Sequence, residues 1–266
     1  MSNLQNTARR MVLLRHVPGF QAWNRLFFKR EHPALAREAF GLHFPHPLGL
    51  APVLDHQEDL LDGCDSLGYC FTGIIPDEIG TVALRLSNRK SGILAYVELR
   101  ADENSEDQVR RHIVRTYSLL YDFADFFVVD INPRSGLSSM DDVSDWKDIL
   151  DELLELRLCY DRYKPILLRF SPDQPLDLTH RILDFSLLSG LDGVIAPGIG
   201  LVKETVQYTK GRLPVIGAGA INSPAEAAAL LDAGAVLLEV AQGIPYHIRS
   251  TARRILQALD NPTSKK

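Results

Sequence analysis

The sequence has none of the long apolar runs that mark membrane or secreted proteins. No stretch of about 18 residues is continuously apolar, so we expect no membrane-spanning helix. The first residues, MSNLQNTARR, lack the apolar centre of a secretory signal peptide. Cysteine is scarce, and the three cysteines of the 266-residue chain are not spaced as metal ligands: Cys64, Cys70 and Cys159. These absences predict a cytoplasmic protein with reduced thiols and no bound metal ion.

Acidic residues are missing from the first 30 positions, whereas the whole chain carries a net charge of −5 at pH 7. The basic residues of this segment are Arg9, Arg10, Arg15, Arg25, Lys29 and Arg30. Bulky apolar residues such as Trp23 accompany them, and a segment of this kind can lie on an anionic membrane surface. Pro18 and Gly19 predict a turn between two short helices, which could equally pack over one end of the folded domain. Peripheral contact of residues 1–30 with the inner face of a membrane and intramolecular packing both remain open.

The length and the hydrophobic pattern predict a single α/β domain, a TIM (β/α)₈ barrel. From residue 47 onward, eight short apolar runs alternate with longer amphipathic segments. Most of these runs are almost continuously apolar, as in parallel strands that are covered on both faces. A barrel of this kind needs about 250 residues, which the chain supplies. The predicted strands are 47–53, 69–75, 93–99, 126–131, 165–170, 192–196, 214–219 and 236–241.

Amphipathic spacing predicts five helices between or after these strands. A Ser cap, a Pro in the first turn and a terminal Gly mark one of them clearly, at 223–234. The other predicted helices are 105–123, 144–163, 178–190 and 246–259. We assign residues 1–40 to an N-terminal helical segment, 41–260 to the barrel and 261–266 to a disordered tail.

Four stretches of the chain carry motifs of one known family. FFVVDINPRSGLSS (126–139) resembles V-N-V-S-[SC]-P-N-T-x-G-L, and KPILLRFSPD (164–173) resembles K-x-P-[IV]-x-V-K-[IL]-[AS]-P-D. FGLHFPHPLGLAPVLDHQEDLLDG (40–63) resembles F-G-L-x-F-x-N-P-[VL]-G-L-A-A-G-x-D-K-x-G-E. GRLPVIGAGAINSPAEAAALLDAGAVLLEVAQG (211–243) resembles G-R-[IL]-P-[IV]-I-G-V-G-G-I-x-S-x-x-D-A-x-x-x-[IL]-x-A-G-A-x-L-V-Q-[IL]-Y-[TS]-G. On these motifs the chain is identified as a diverged member of the dihydroorotate dehydrogenases, FMN-binding barrels, and as nearer to their quinone-dependent class.

The last of these stretches also predicts an anion site on physical grounds. In barrels, the loops after strands seven and eight often bind a phosphate. Gly217, Gly219 and the small Ala220 let backbone N–H groups approach an anion closely, and Gln242 with Gly243 would form the second wall. The resemblance implies that the anion is the phosphate of FMN. Two tight barrel turns that bind nothing are the alternative interpretation.

The resemblance also implies which residues would face the flavin. Ala51 lies in the opening-strand motif, and Arg169 stands in place of the family's flavin-facing Lys. Asp130, on the neighbouring strand, could instead pair with Arg169 in an internal salt bridge that fills a vacated flavin pocket. His56, where the family has Lys, could titrate near the same mouth or lie solvated in a loop. Flavin contact and a purely internal role both remain open for these residues.

The family's catalytic base is missing. Asn132 stands where the family has the Ser or Cys that takes a proton from the substrate, and an amide cannot act as a general base at neutral pH. Amides that the family uses to bind orotate are missing as well. Asp130 replaces one Asn, Arg134 replaces another, and APGIG (196–200) stands in place of an A-T-N-T-T element.

Three functions follow as alternatives. The chain is a flavin oxidoreductase of pyrimidine biosynthesis, or a non-catalytic paralogue that binds a phosphorylated ligand or a protein. The third possibility is a different enzyme for a phosphate-bearing substrate, with Asp130, Arg169 and His56 as its polar set. No nucleic-acid partner is expected. A flavin absorbance spectrum would separate the first alternative from most forms of the other two.

Overall fold

The computed structural model describes residues 32–53, 60–76, 78–89, 92–100, 105–131, 143–241 and 248–261. A short 3-10 helix (Pro33–Leu35) comes first, and an antiparallel hairpin follows, β1 (Arg37–Ala39) and β2 (Leu42–Phe44). The barrel strands are β3 (Leu48–Val53), β4 (Phe71–Ile74), β5 (Leu94–Arg100), β6 (Phe126–Asp130), β7 (Ile166–Arg169), β8 (Gly193–Pro197), β9 (Val215–Gly219) and β10 (Leu237–Val240). They are parallel and follow one another around a closed barrel, in which β10 pairs with β3. The predicted (β/α)₈ barrel is therefore confirmed, and each predicted strand overlaps an observed one.

Helices cover the outside of the barrel. Those described are α1 (Leu60–Leu67), α2 (Ile79–Asn88), α3 (Glu106–Leu120), α4 (Val143–Arg157), α5 (Leu176–Ser189), α6 (Gly198–Thr209), α7 (Pro224–Asp232) and α8 (Ile248–Asp260). The five predicted helices correspond to α3, α4, α5, α7 and α8. Sequence analysis missed α1, α2 and α6. Each of them contains glycine, which disfavours helices, and α6 begins with two glycines within three residues.

Side chains along the barrel strands alternate between two cores. One set, which includes Val97 and Phe127, points outward and packs between the strands and the helices. The other set points into the barrel, and its rings and aliphatic side chains fill the lower half. The inward set comprises Phe71, Tyr96, Phe126, Val128, Leu167, Ile195, Ile216, Ala218 and Leu237. Because strand side chains alternate with a period of two, the next inward positions lie at the carboxyl ends of the strands.

The hairpin closes the amino-terminal end of the barrel with aromatic rings. Phe44 contacts the ring of Phe71 edge to face, with 5.5 Å between ring centroids. Phe40 lies against Gly193, where a Cβ would overlap its ring, and Gly49 makes room for Phe71 in the same way. The hairpin therefore spans position 40, where we divided the N-terminal segment from the barrel. That division stays a prediction, because residues 1–31, predicted as helical, and 262–266 lie outside the described residues.

The first and last described elements meet at this same end of the barrel. His32 Nδ1 lies 2.9 Å from Asp260 Oδ2, at the last residue of α8. His32 is buried at this contact. In the ranges that the structure describes, no helix is long and apolar enough to cross a membrane.

Candidate functional site

The carboxyl ends of four barrel strands carry charged side chains that point into the barrel. They come from β5, β6, β7 and β10, at the inward positions directly above the apolar interior. The hydroxyl of an interior tyrosine meets them from below. We call this group the mouth cluster: Tyr96, Glu98, Arg100, Asp130, Arg169 and Glu239. Since parallel strands present their carboxyl ends at one face, the fold brings together residues that are far apart in the sequence.

Arg169 is the centre of the mouth cluster. Its Nε donates to Glu98 Oε2 at 2.9 Å. Its Nη1 and Nη2 donate to the two carboxylate oxygens of Glu239 at 2.7 and 3.1 Å, which is a bidentate fork. Nη2 also donates to the hydroxyl of Tyr96 at 2.8 Å, and that hydroxyl donates to Glu239. All three nitrogens of the guanidinium are thus engaged inside the barrel.

The internal salt bridge predicted for Arg169 is present, but with different partners. Asp130 was the predicted partner because it lies on the adjacent strand, directly beside Arg169 in the register. The guanidinium instead reaches across the lumen to carboxylates of β5 and β10, while Asp130 Oδ2 lies 3.7 Å from Arg100 Nε. The side chains of Glu98 and Glu239 are one carbon longer than that of Asp130, so they can reach the guanidinium across the lumen. Because they pair with Arg169, Asp130 on the adjacent strand does not.

Burial makes the electrostatics of this cluster strong. Glu98, Asp130 and Glu239 are each only 1% exposed. Burial raises the pKa of Glu98, although the guanidiniums of Arg169 and Arg100 oppose that effect. Three carboxylates face two guanidiniums, so the cluster holds one more acid than base. Nevertheless, within the described ranges no group of three or more His, Cys, Asp or Glu side chains is arranged to hold a metal ion.

The predicted anion loop follows β9. A Cβ at Gly219 would meet no atom of the described residues within 4 Å, so this residue borders space that they leave open, and the neighbouring Ala220 is exposed. Ala241 donates its backbone N–H to the carbonyl of Gly219 at 2.8 Å, which joins the loops after β9 and β10. Gly217 lies differently, because a Cβ there would come within 3.1 Å of Ala235 and press on helix α7 through Leu230. Its small size serves the packing of a helix on a strand.

A capping box opens α7 behind this loop. Ser223 Oγ accepts the N–H of Glu226 at 3.3 Å, and Glu226 Oε2 accepts the N–H groups of Ser223 and Asn222 at 3.0 and 2.6 Å. The family pattern carries Asp at the position of Glu226, so a capping carboxylate belongs to this motif. The backbone around Gly219 and Ala220 is the part of the loop that borders open space.

Several predicted site residues cannot be placed. Asn132, Gln242, Gly243 and His56 lie outside the described residues, and their roles stay predictions. Ala51 is half-buried near the carboxyl end of β3.

Sequence analysis missed four residues of the mouth cluster: Tyr96, Glu98, Arg100 and Glu239. A signal for Glu239 was present, because the family pattern has Gln there just as it has Lys at position 169. The two departures meet in space as one ion pair.

The comparisons with known proteins agree with the motifs. The quinone type of dihydroorotate dehydrogenase from Shewanella frigidimarina is 24% identical and is covered over 85% of its length by 83% of this chain. The corresponding enzyme of Proteus mirabilis is 26% identical, with 91% of this chain and 90% of the relative covered. The chain is a diverged relative of the dihydroorotate dehydrogenases. No protein-family model matches it.

Solved structures support the fold of this diverged dihydroorotate dehydrogenase relative. A ligand-free dihydroorotate dehydrogenase from Eimeria tenella superposes with a TM-score of 0.77 at 18% identity, over 90% of both chains. A mandelate oxidase that carries an FMN adduct superposes with a TM-score of 0.60 at 14% identity, over 85% of this chain and 77% of the oxidase. At these identities the likeness establishes the barrel fold alone.

Proposed function

We propose that this protein is a diverged, FMN-type barrel that binds a phosphate-bearing ligand and no longer oxidises dihydroorotate. The engagement of Arg169 carries the proposal. This residue stands where the family has a flavin-facing Lys, and its guanidinium is held inside the barrel by Glu98 and Glu239. The absence of a base at Asn132 supports the same conclusion independently.

The phosphate end of the site fits FMN. Gly219 and Ala220 border open space, and small residues there let backbone N–H groups approach an anion. The hydrogen bond from Ala241 to Gly219 links this loop to the segment that precedes Gln242 and Gly243. We propose that the phosphate of FMN, or of another phosphate monoester, lies between the 217–220 and 241–243 loops.

The ring end of the site does not fit FMN in the family's manner. Bound FMN would supply electron-transfer chemistry through a ring whose edge is rich in hydrogen-bond acceptors. In the mouth, all three nitrogens of Arg169 already donate hydrogen bonds, which use four of its five N–H groups, and the surrounding Glu98 and Glu239 are carboxylates that repel such acceptors. We therefore assign no redox step to the described residues.

Dihydroorotate oxidation tests the proposal directly. We expect dye-coupled turnover of the purified protein with added FMN to fall about 10²–10⁴-fold below that of a protein with a general base, because Asn132 cannot accept the proton. Asn132→Ser and Asn132→Cys alone should not restore turnover, since the ring-binding groups are also changed. Robust turnover by the unaltered protein would refute the proposal.

FMN titration tests the phosphate site separately. Gly219→Glu should abolish binding because it places a carboxylate in the open space beside the loop. Gly92→Glu is the matched control, since a Cβ at Gly92 also meets no described atom within 4 Å, but this exposed residue lies before β5, at the opposite end of the barrel. If Gly219→Glu and Gly92→Glu bind FMN with the same affinity, the two loops are tight turns without a phosphate site.

We further propose that residues 1–30 hold the protein at the inner, anionic face of a membrane. Six basic residues without an acidic one, together with bulky apolar side chains, support this placement. Binding to anionic vesicles should weaken as salt is added, because exposed charges are screened. Absence of binding at low salt would leave intramolecular packing as the explanation.

A further inference from the structure

The ion pair between Arg169 and Glu239 controls what the barrel mouth can offer a ligand. Glu239 occupies both terminal nitrogens of the guanidinium, and Glu98 occupies the third nitrogen. The side chain of Arg169 is 14% exposed, so part of it is within reach of a ligand in the mouth. A guanidinium presents a fixed fork of donors, and a bidentate partner uses that fork fully.

The balance of charge points to Glu239 as the residue that can be changed. Among the described residues, the cluster contains the carboxylates of Glu98, Asp130 and Glu239 and the guanidiniums of Arg100 and Arg169. Neutralising one carboxylate leaves two acids and two bases, a balanced set. Removing Arg169 instead would leave three buried carboxylates with one guanidinium, which is far less favourable.

Resting on the phosphate site proposed above, we propose that Glu239 is the specificity-determining residue of the mouth. Glu239 accepts hydrogen bonds from both terminal nitrogens of Arg169, so these donors are not available to an acceptor-rich ring. The protein with Glu239 therefore recognises phosphate monoesters through their phosphate and gains nothing from a flavin ring. Replacing Glu239 by the uncharged Gln leaves one acceptor oxygen in place of two, so a terminal nitrogen of Arg169 is released to donate to the ring.

Three probes separate the two ends of the ligand: ribose 5-phosphate has no ring, riboflavin has no phosphate, and FMN has both. In the unaltered protein, FMN and ribose 5-phosphate should bind within about threefold of each other by calorimetry, because only the phosphate is read. In Glu239→Gln, FMN should bind about tenfold tighter or more, the gain expected of a charge-assisted hydrogen bond. Ribose 5-phosphate should bind as before.

Two variants serve as controls for this effect. Glu204→Gln removes the same charge from the outer surface of α6, where Glu204 pairs with His180, and should leave all affinities unchanged. If Glu239→Gln does not fold, Glu239→Ala provides a second route. It also removes the carboxylate that holds both terminal nitrogens of Arg169, so FMN should again gain affinity.

The outcomes distinguish the inference from the function on which it rests. If ribose 5-phosphate binds but neither folded variant gains affinity for FMN, Glu239 does not determine specificity, while the phosphate site stands. If ribose 5-phosphate fails to bind and FMN binds no tighter than riboflavin, the phosphate site is wrong. If FMN and riboflavin then both bind more tightly to Glu239→Gln than to the unaltered protein, the role of Glu239 in specificity is still supported.

Discussion

The two ends of the barrel are closed by opposite kinds of chemistry. At the amino-terminal end, Phe40, Phe44 and Phe71 pack ring against ring, and glycines on the strands make room for them. At the carboxyl end, buried acids and bases pair across the lumen. Apolar contacts have no preferred direction but must fill the available volume. A buried ionic cluster instead needs a partner of opposite charge for each of its charged groups. The first end serves stability, and the second is the end at which a ligand can be recognised.

Arg169→Met should have the largest effect on stability of the changes considered. It removes the cation that Glu239 binds and leaves Glu98 paired with Arg100, so three buried carboxylates face one guanidinium of the mouth cluster. We expect a loss at the upper end of about 3–5 kcal/mol in the free energy of unfolding, measured with urea. Glu239→Gln is the comparison, because it removes an acid from the side that is in excess and should cost much less. Equal losses for the two variants would contradict the charge balance described for the mouth.

Phe44→Ala tests the opposite end. Phe44 is fully buried between the rings of Phe40 and Phe71, so its removal leaves a cavity. The free energy of unfolding should fall by roughly 3–5 kcal/mol, with little change in ligand affinity, since the mouth lies at the far end of the strands. Leu188→Ala is the control, because Leu188 is 88% exposed and its truncation should change stability by about 0.5 kcal/mol or less.

The two ends should also respond to pH in opposite directions. At the amino-terminal end, burial and then the nearby His32 lower the pKa of His46 from 6.5 to about 4. Its contribution to stability is present above pH 6.5 and is lost as the pH falls towards about 4. At the mouth, the pKa of Glu98 is raised, so its contribution is lost as the pH rises through that pKa.

Urea unfolding across this pH range measures the contribution of His46. As the pH falls from 6.5 to about 4, the free energy of unfolding of the unaltered protein should decrease by about 3 kcal/mol at most. His46→Gln should not show this decrease. Glu98→Gln should leave this acid-side loss intact. An unaltered acid-side loss in His46→Gln would assign it to another group.

Gly193→Ala should have the smallest effect of the four. The added Cβ would overlap the ring of Phe40 and lie 2.8 Å from the carbonyl of Pro214. Such overpacking costs about 1–3 kcal/mol, visible as a lower thermal midpoint. Gly92→Ala adds the same methyl group in open space and should be close to neutral. A neutral Gly193→Ala would mean that both the ring of Phe40 and the backbone at Pro214 can move away from the added methyl group.

The barrel could be predicted well from the sequence because its strands are buried on both faces, so each strand is an almost continuous run of apolar residues. The sequence predicted α6 poorly because Gly198 and Gly200 obscure the start of that helix. The mouth cluster was harder still, since the pairs of Arg169 lie 71 and 70 positions away, at Glu98 and Glu239. Proximity of strands suggested Asp130 as the partner. Only the closure of the barrel, which places β5, β7 and β10 around one lumen, reveals the contacts that were formed.

The contact between His32 and Asp260 determines how the molecule can be attached to other objects. Both residues lie at the hairpin end, so the described chain enters and leaves the fold at the same place. A linker that replaces residues 1–31 and joins the chain directly at His32, or one joined directly at Asp260, would begin at the end of the barrel opposite the mouth. Immobilised in that way, the protein would present its charged face to solution, and the affinity of small ligands could be measured without obstruction by the support.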